Sequence, residues 1–220
     1  MKEHITLKEK IYIILTGIFV GCLIMSTVLA RKPIIVGGLL VNFAVFVYAV
    51  TFVITDVVSE IWGRERAKFL IISGFISLVV AYAWTNLGLL WPGASFWEHQ
   101  EAFTVILGST SRVMTGGLIA YLVAQFYDVW IFLFLKRKTK GKHLWIRTNT
   151  STFIAQTIDT FIFITIGFYG VLPLKPMIIG VLTIKISIAL VTQFLVYLAV
   201  WILRKPAFEL TPRETLESTT

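Results

Sequence analysis

The chain has one cysteine, three histidines and only 15% charged residues among its 220 residues. A single cysteine, Cys22, cannot form an internal disulfide, and we interpret it as a small buried residue. His99 and His143 have no second histidine, cysteine or carboxylate at metal-ligand spacing, so we predict no metal and no other cofactor. The sequence has no nucleotide-binding loop and no serine–histidine pairing, which argues against ATP hydrolysis or nucleophilic catalysis by this chain alone.

Apolar residues, in contrast, are abundant: hydrophobic residues make up 57% of the chain and its mean hydropathy is +0.83. A soluble domain of this size is less apolar, so the chain is predicted to be an integral membrane protein. A membrane-crossing helix needs about 20 apolar residues. Six runs reach that length, at 11–30, 39–58, 69–90, 113–135, 149–172 and 177–203. We predict an all-α fold with six transmembrane helices in one domain, 1–205, followed by a polar, disordered cytoplasmic tail, 206–220.

The positions of the 20 Lys and Arg residues predict the orientation. Only Arg31, Lys32, Arg112 and Lys175 fall on one side of the six runs, Lys185 lies inside the sixth, and the rest fall on the other side. Because cytoplasmic loops are enriched in Lys and Arg, both termini should be cytoplasmic. The same placement explains the net charge of +8 without a nucleic-acid partner.

Two segments between and within the runs have special composition. Residues 31–38 contain Pro33 and the pair Gly37 and Gly38, which predicts an irregular outer segment. The first run carries small residues at helical spacing, and such a face either packs within the chain or docks a partner. These small residues are Gly17, Gly21, Cys22, Ser26 and Ala30.

Polar side chains recur inside two of the apolar runs. Residues 124–132 and 155–163 both have the pattern Ala-Gln-x-x-Asp-x-x-Ile-Phe, which places Gln125 with Asp128, and Gln156 with Asp159, on one helical face. An aspartate at a helix centre costs roughly 2.5 to 3.5 kcal/mol in a bilayer, so such groups face a bundle interior or a wet cavity. We therefore expect a site here.

Lys185 belongs to the same region of the predicted bundle. By helix rise, it differs from Asp159 in depth by about 10 Å, within reach of its long side chain and a modest tilt. The pair is either part of a ligand site or a structural ion pair that holds two helices together. The runs contain more polar groups than one ion pair requires, which favours the site: Gln125, Asn149, Gln156 and Gln193.

Asp56, Glu60 and Arg64 lie at i, i+4 and i+8 at the predicted cytoplasmic end of the second helix. This stripe is either a solvated helix end with a Gly63 cap or a gate or ligand contact.

The two membrane aspartates, Asp128 and Asp159, also suggest an intramembrane aspartyl protease. That family requires Gly-x-Gly-Asp in its second motif, whereas Asp159 follows Thr157 and Ile158.

The combination of motifs over about residues 40–200 resembles the vitamin uptake transporter, or queuosine precursor transporter, family. The matching residues are Ile54-Thr55-Asp56, Glu60-Ile61-Trp62-Gly63-Arg64, Ser111-Arg112, Ala120-Tyr121, Gln125, Asp128-Val129, Trp145, Arg147, Asn149, Ser151-Thr152, Gln156, Asp159-Thr160 and Lys185.

The resemblance implies import of a 7-deazaguanine such as 7-cyano-7-deazaguanine, its aminomethyl analogue or queuine, for queuosine in tRNA. A carboxylate can accept both N–H donors of a guanine edge, while an amide or lysine reaches its carbonyl. We therefore expect Asp128 or Asp159 to bind the donor edge, and Lys185 to balance charge or contact the carbonyl. The other expected site residues are Gln125, Gln156 and Asn149 for orientation, Tyr127, Trp130 and Phe161 for stacking, and Asp56, Glu60 and Arg112 as gate or boundary residues.

The resemblance leaves the energy source open. A stand-alone carrier in a bacterial-type inner membrane would couple to protons through Asp128 or Asp159 or act by facilitated diffusion, alone or as a homo-oligomer. The size also resembles substrate-binding subunits of energy-coupling-factor transporters, which use an ATPase module and bind other vitamin-like heterocycles. In that case the small-residue face would dock the module.

Overall fold

The computed structural model describes residues 6–139 and 144–203. Five helices and one hairpin make up this part of the chain. The helices are α1 (Leu7–Leu29), α2 (Ala44–Leu90), α3 (Gln100–Lys138), α4 (Leu144–Phe168) and α5 (Leu174–Leu203), and the strands are β1 (Pro33–Val36) and β2 (Leu39–Asn42). The helical prediction is confirmed.

Helix α1 begins where the sequence provides a cap. The Thr6 hydroxyl accepts the backbone N–H of Glu9 at 3.3 Å, and the Glu9 carboxylate accepts the backbone N–H of Thr6 at 3.1 Å. This reciprocal pair satisfies two donors that a helix start otherwise leaves open.

The predicted irregular segment at 31–38 is wrong, because residues 33–42 form an antiparallel hairpin that pairs Pro33 with Asn42 and Val36 with Leu39. Gly37 and Gly38, with φ of 56° and 80°, make the two-residue turn. Two consecutive positive φ angles suit the twist of a tight hairpin, and glycine adopts them without steric cost. The second predicted run accordingly loses residues 39–42 to β2, and its helix begins at Ala44.

Helix α2 breaks at Gly63, whose φ of 80° and ψ of 175° are not helical. We call its two parts α2a (Ala44–Gly63) and α2b (Glu65–Leu90). Near the break, the Tyr12 hydroxyl of α1 donates to the carbonyl of Arg66 at 3.1 Å. Farther along α1, Phe19 lies against Gly74 of α2b. Helix α1 therefore runs parallel to α2b.

We expect Gly63→Ala to lower the stability of the protein by about 1–3 kcal/mol, because this region of φ and ψ is nearly closed to residues with a Cβ. Gly88→Ala is the matched control, since Gly88 is helical and its added Cβ would meet only the tip of Phe103, at 3.9 Å. The thermal unfolding midpoints of the two variants in detergent test this. Equal midpoints would contradict a strained break at Gly63.

Four segments are long and apolar enough to cross a membrane among the described residues: Leu7–Leu29, Ala44–Gly63, Glu65–Leu90 and Gln100–Ala124. Phe153–Phe168 of α4 is a shorter apolar helix. The chain is therefore a helical membrane protein. The count of six spans and the cytoplasmic location of both termini stay predictions, and the predicted tail at 206–220 lies outside the described residues.

The small-residue face of α1 packs only at its far end. Ser26 and Ala30 are buried, but Gly17 and Gly21 have nothing within 4 Å of an added Cβ. The interpretation that these two glycines pack within the chain is therefore wrong. The close helix approach lies elsewhere, at Gly116 of α3, where an added Cβ would stand 3.2 Å from the backbone nitrogen of Gly167 in α4.

Candidate functional site

A buried ion pair joins α4 and α5 in the interior of the bundle. Lys185 Nζ lies 3.1 Å from Asp159 Oδ2 and donates a second hydrogen bond to Thr160 Oγ1 at 2.8 Å. The Lys185 and Asp159 side chains are only 9% and 17% exposed. The structure thus brings together the two charged residues that the sequence placed at similar depth.

Only one oxygen of the Asp159 carboxylate has a hydrogen-bond partner among the described residues. Lys185 occupies Oδ2, while Oδ1 accepts no hydrogen bond from any described residue. Gln156 lies one turn earlier on the same helical face, half-buried, and its amide likewise has no hydrogen bond within the described part of the chain. Since buried polar groups are normally paired, an unused carboxylate oxygen beside an unused amide can receive a ligand.

An aromatic ring from α2a borders the ion pair. Lys185 Nζ lies 5.4 Å from the ring centroid of Tyr48, a cation–π distance. Tyr48 packs edge-to-face on Phe52, with ring centroids 5.0 Å apart. Elsewhere in the bundle, Tyr121 of α3 stacks on Phe75 of α2b, with centroids 5.6 Å apart.

The three predicted stacking residues lie away from this pair. Tyr127 and Phe161 line a groove of about 490 Å³ between α3 and α4, together with Val123, Thr157, Ile158 and Ile162. Phe161 is 58% exposed, and because it follows Asp159 by two residues it points to the opposite side of α4. Trp130 is also exposed and stacks on Phe134 at 6.0 Å.

The other predicted residues have separate positions. Gln125, Asp128 and Asn149 lie outside the residues whose side chains are described. Asp56 and Glu60 are exposed on α2a, and Asp56 follows Tyr48 by two helical turns, roughly 12 Å. Arg112 bonds to carbonyls at the end of α4 rather than to the ion pair.

Sequence reasoning missed Tyr48 and Thr160 as neighbours of Lys185 and Asp159. Thr160 was adjacent to a predicted residue, and its hydroxyl is a natural partner for a membrane lysine. Nothing in the sequence distinguishes Tyr48 from other aromatic residues of apolar runs, because its role depends on how α2a packs against α5. Among the residues that the structure describes, no group of three metal-binding side chains comes together.

Comparison with known proteins shows to which class this helical membrane protein belongs. A family model described as "Putative vitamin uptake transporter" matches residues 42–199. The chain belongs to this vitamin uptake transporter family, as the motifs implied, and the protease alternative is set aside. No solved structure matches the chain.

Curated relatives carry a more specific name. A "Probable queuosine precursor transporter" of Bacillus subtilis is 30% identical over 172 residues, covering 76% of this chain and 75% of the relative. The "Queuosine precursor transporter" of Escherichia coli is 25% identical over 147 residues, covering 66% of this chain and 62% of the relative. A Haemophilus influenzae relative with the same name as the first is 29% identical over 119 residues, covering 54% and 48%.

Proposed function

We propose that this protein imports a queuosine precursor, a 7-deazaguanine, across the inner membrane. The observation that carries the proposal is the Asp159 carboxylate, whose Oδ1 accepts no hydrogen bond from a described residue, on the same helical face as Gln156. The names of the relatives supply the substrate class, and the site supplies chemistry that suits it.

The edge of a guanine-type base has two adjacent N–H donors and one carbonyl acceptor. Asp159 accepts the donors through Oδ1, and Gln156 orients the base from the same face of α4. Lys185 already holds Oδ2, and it stays within reach of a carbonyl that approaches the carboxylate. Charge-assisted hydrogen bonds of this kind contribute about 1.5–3 kcal/mol each.

Stacking in this proposal comes from Tyr48 rather than from the residues expected from sequence. Its ring already faces Lys185, and Phe52 supports it edge-to-face. A planar heterocycle inserted beside the ion pair therefore meets an aromatic face and a polar edge at one place.

The charge of the site is balanced before a substrate binds. In the structure Lys185 neutralises Asp159, which lowers the cost of a charge in the bundle. A neutral base that binds Asp159 leaves the net charge of the site unchanged, so a stand-alone carrier with six spans and both termini cytoplasmic can move it without an ATPase module. Gln125, Asp128 and Asn149 belong to the proposed path as further polar contacts, with Asp56, Glu60 and Arg112 at its boundaries.

The test is the queuosine content of tRNA in a host that cannot make the precursor and lacks its own transporter. With nanomolar precursor in the medium, the wild-type chain should restore queuosine. Asp159→Asn, which keeps the shape but loses the charge, should reduce initial uptake about 10- to 100-fold, as expected for loss of a charge-assisted bond. Tyr48→Leu should raise the precursor concentration needed for half-maximal restoration.

Glu101→Gln is the matched control, because Glu101 is an exposed carboxylate in the first turn of α3. It should restore queuosine as well as the wild type does. Full restoration by Asp159→Asn would refute the site. If the wild type were present in the membrane but inactive, and co-expression of an ATPase module then restored uptake, the chain would instead be a subunit of an energy-coupling-factor transporter.

A further inference from the structure

Two arginines from different parts of the chain meet at the carboxyl end of α4. Arg112 of α3 donates from Nε to the carbonyl of Ile166 at 2.8 Å and from Nη2 to the carbonyl of Tyr169 at 2.7 Å. Arg31, in the turn after α1, has its Cζ 5.7 Å from the ring centroid of Phe168. Both guanidinium groups thus lie at the rim formed by the ends of α1 and α4.

The helix end compensates these charges only in part. Carbonyls at the end of α4 carry a partial negative charge that favours Arg112. Among the described residues, however, neither arginine forms an ion pair with a carboxylate. Burial, and after it the nearby charge of Arg112, lowers the pKa of Arg31 below its usual value. Two cations therefore repel each other at a place where the chain supplies backbone dipoles but no described anion.

The acidic residues on α3 and α4 are too distant to form an ion pair with these arginines. Asp159 precedes Ile166 by seven residues, roughly 10 Å, and is bonded to Lys185. Glu101 lies eleven residues before Arg112 on α3, roughly 16 Å away. Asp128 lies sixteen residues after Arg112, roughly 24 Å away. Within the described part of the chain no carboxylate pairs with either arginine, which leaves this rim open to an anion from outside the chain.

We propose that Arg31 and Arg112 together bind the phosphate group of an anionic ligand at this rim. A guanidinium presents a planar fork of N–H donors that matches phosphate oxygens, and Arg112 is exposed while Arg31 is partly exposed. Arg31 directly follows the membrane-crossing segment Leu7–Leu29, and lipid headgroups lie where such a segment ends. An anionic phospholipid and free phosphate present the same group, and the experiment separates them.

The experiment uses the full chain in neutral detergent and measures bound phosphatidylglycerol by native mass spectrometry, with phosphatidylcholine of the same acyl chains as competitor. The wild type should prefer phosphatidylglycerol. Arg31→Gln and Arg112→Gln should each weaken that preference roughly fivefold, the effect of one basic residue near an anionic headgroup. Arg31→Gln keeps the test valid if Arg112→Gln, which also loses the contacts with α4, fails to fold.

Lys32→Gln is the matched control, because it removes the same charge from the neighbouring residue, whose Nζ lies over Phe43 instead. Its preference should stay within twofold of the wild type. If millimolar inorganic phosphate displaces phosphatidylglycerol from the wild type but not from the arginine variants, the site stands and its ligand is a free anion. No lipid preference together with no phosphate effect, or an equal loss in Lys32→Gln, overturns the proposal.

Discussion

Lys185→Met is expected to abolish precursor uptake and to lower the thermal unfolding midpoint of the protein. The substitution leaves the Asp159 carboxylate, only 17% exposed, without its cation, and it removes the hydrogen bond to Thr160. Removing one partner of a buried ion pair costs about 3–5 kcal/mol, because the remaining charge stays buried and uncompensated. We expect uptake to be lost together with this stability, because a buried carboxylate without its cation must take up a proton or a water molecule.

The double variant Lys185→Met/Asp159→Leu separates a ligand site from a structural ion pair. Replacing both charges with apolar residues of similar volume is often neutral for stability. We therefore expect its unfolding midpoint to recover towards that of the wild type while uptake stays absent. Recovery of uptake in the double variant would show that the pair only holds α4 and α5 together, and the proposed site would then be wrong.

Gly180→Ala is the second substitution for which we expect a large effect. An added Cβ would meet the backbone carbonyl oxygen of Leu40 directly and would lie 3.2 Å from Val41 Cγ1. Leu40 pairs with Ile35 in the hairpin, so its backbone cannot move away without breaking the ladder. Overpacking of this kind costs about 1–3 kcal/mol. The thermal unfolding midpoint in detergent measures it.

Gly21→Ala is the control for this prediction. Gly21 is helical and has nothing within 4 Å of an added Cβ, so alanine should be neutral or stabilise α1 by about 0.5–1 kcal/mol. A Gly180→Ala variant as stable as the wild type would contradict the close contact between α5 and the hairpin. A strongly destabilised Gly21→Ala would mean that the exposed face of α1 is covered by another molecule in the membrane.

The placement of Asp159 and Lys185 in the bundle could be predicted from the sequence because helix rise relates residue number to depth. The same arithmetic could not assign the stacking residues. Trp130 and Phe161 each follow an aspartate by two residues, which reverses the direction of a side chain on a helix, and Tyr127 lines the groove between α3 and α4 with Phe161. Tyr48 is distant in the sequence, and only the packing of α2a against α5 brings its ring to Lys185.

The small-residue patterns show a similar division. Gly17 and Gly21 have the spacing of a packing face, yet they are exposed, whereas Gly116 and Gly180 make the close approaches. The sequence spacing of small residues shows where a close contact is sterically possible. It does not show which helix, if any, packs there. The hairpin was missed because the apolar run that includes β2 also satisfies the length of a membrane helix.

By itself, the sequence determined that the chain is a helical membrane protein with charged and amide side chains inside its apolar runs. Apolar run length and the cost of buried charge act locally along each helix, so they can be read from the order of residues. The tertiary structure alone decided that Lys185 binds one oxygen of Asp159 while no other described residue donates to the second, and that Arg31 and Arg112 both lie at the end of α4. Those contacts depend on how the helices pack and turn relative to one another, which the sequence pattern of a single helix does not contain.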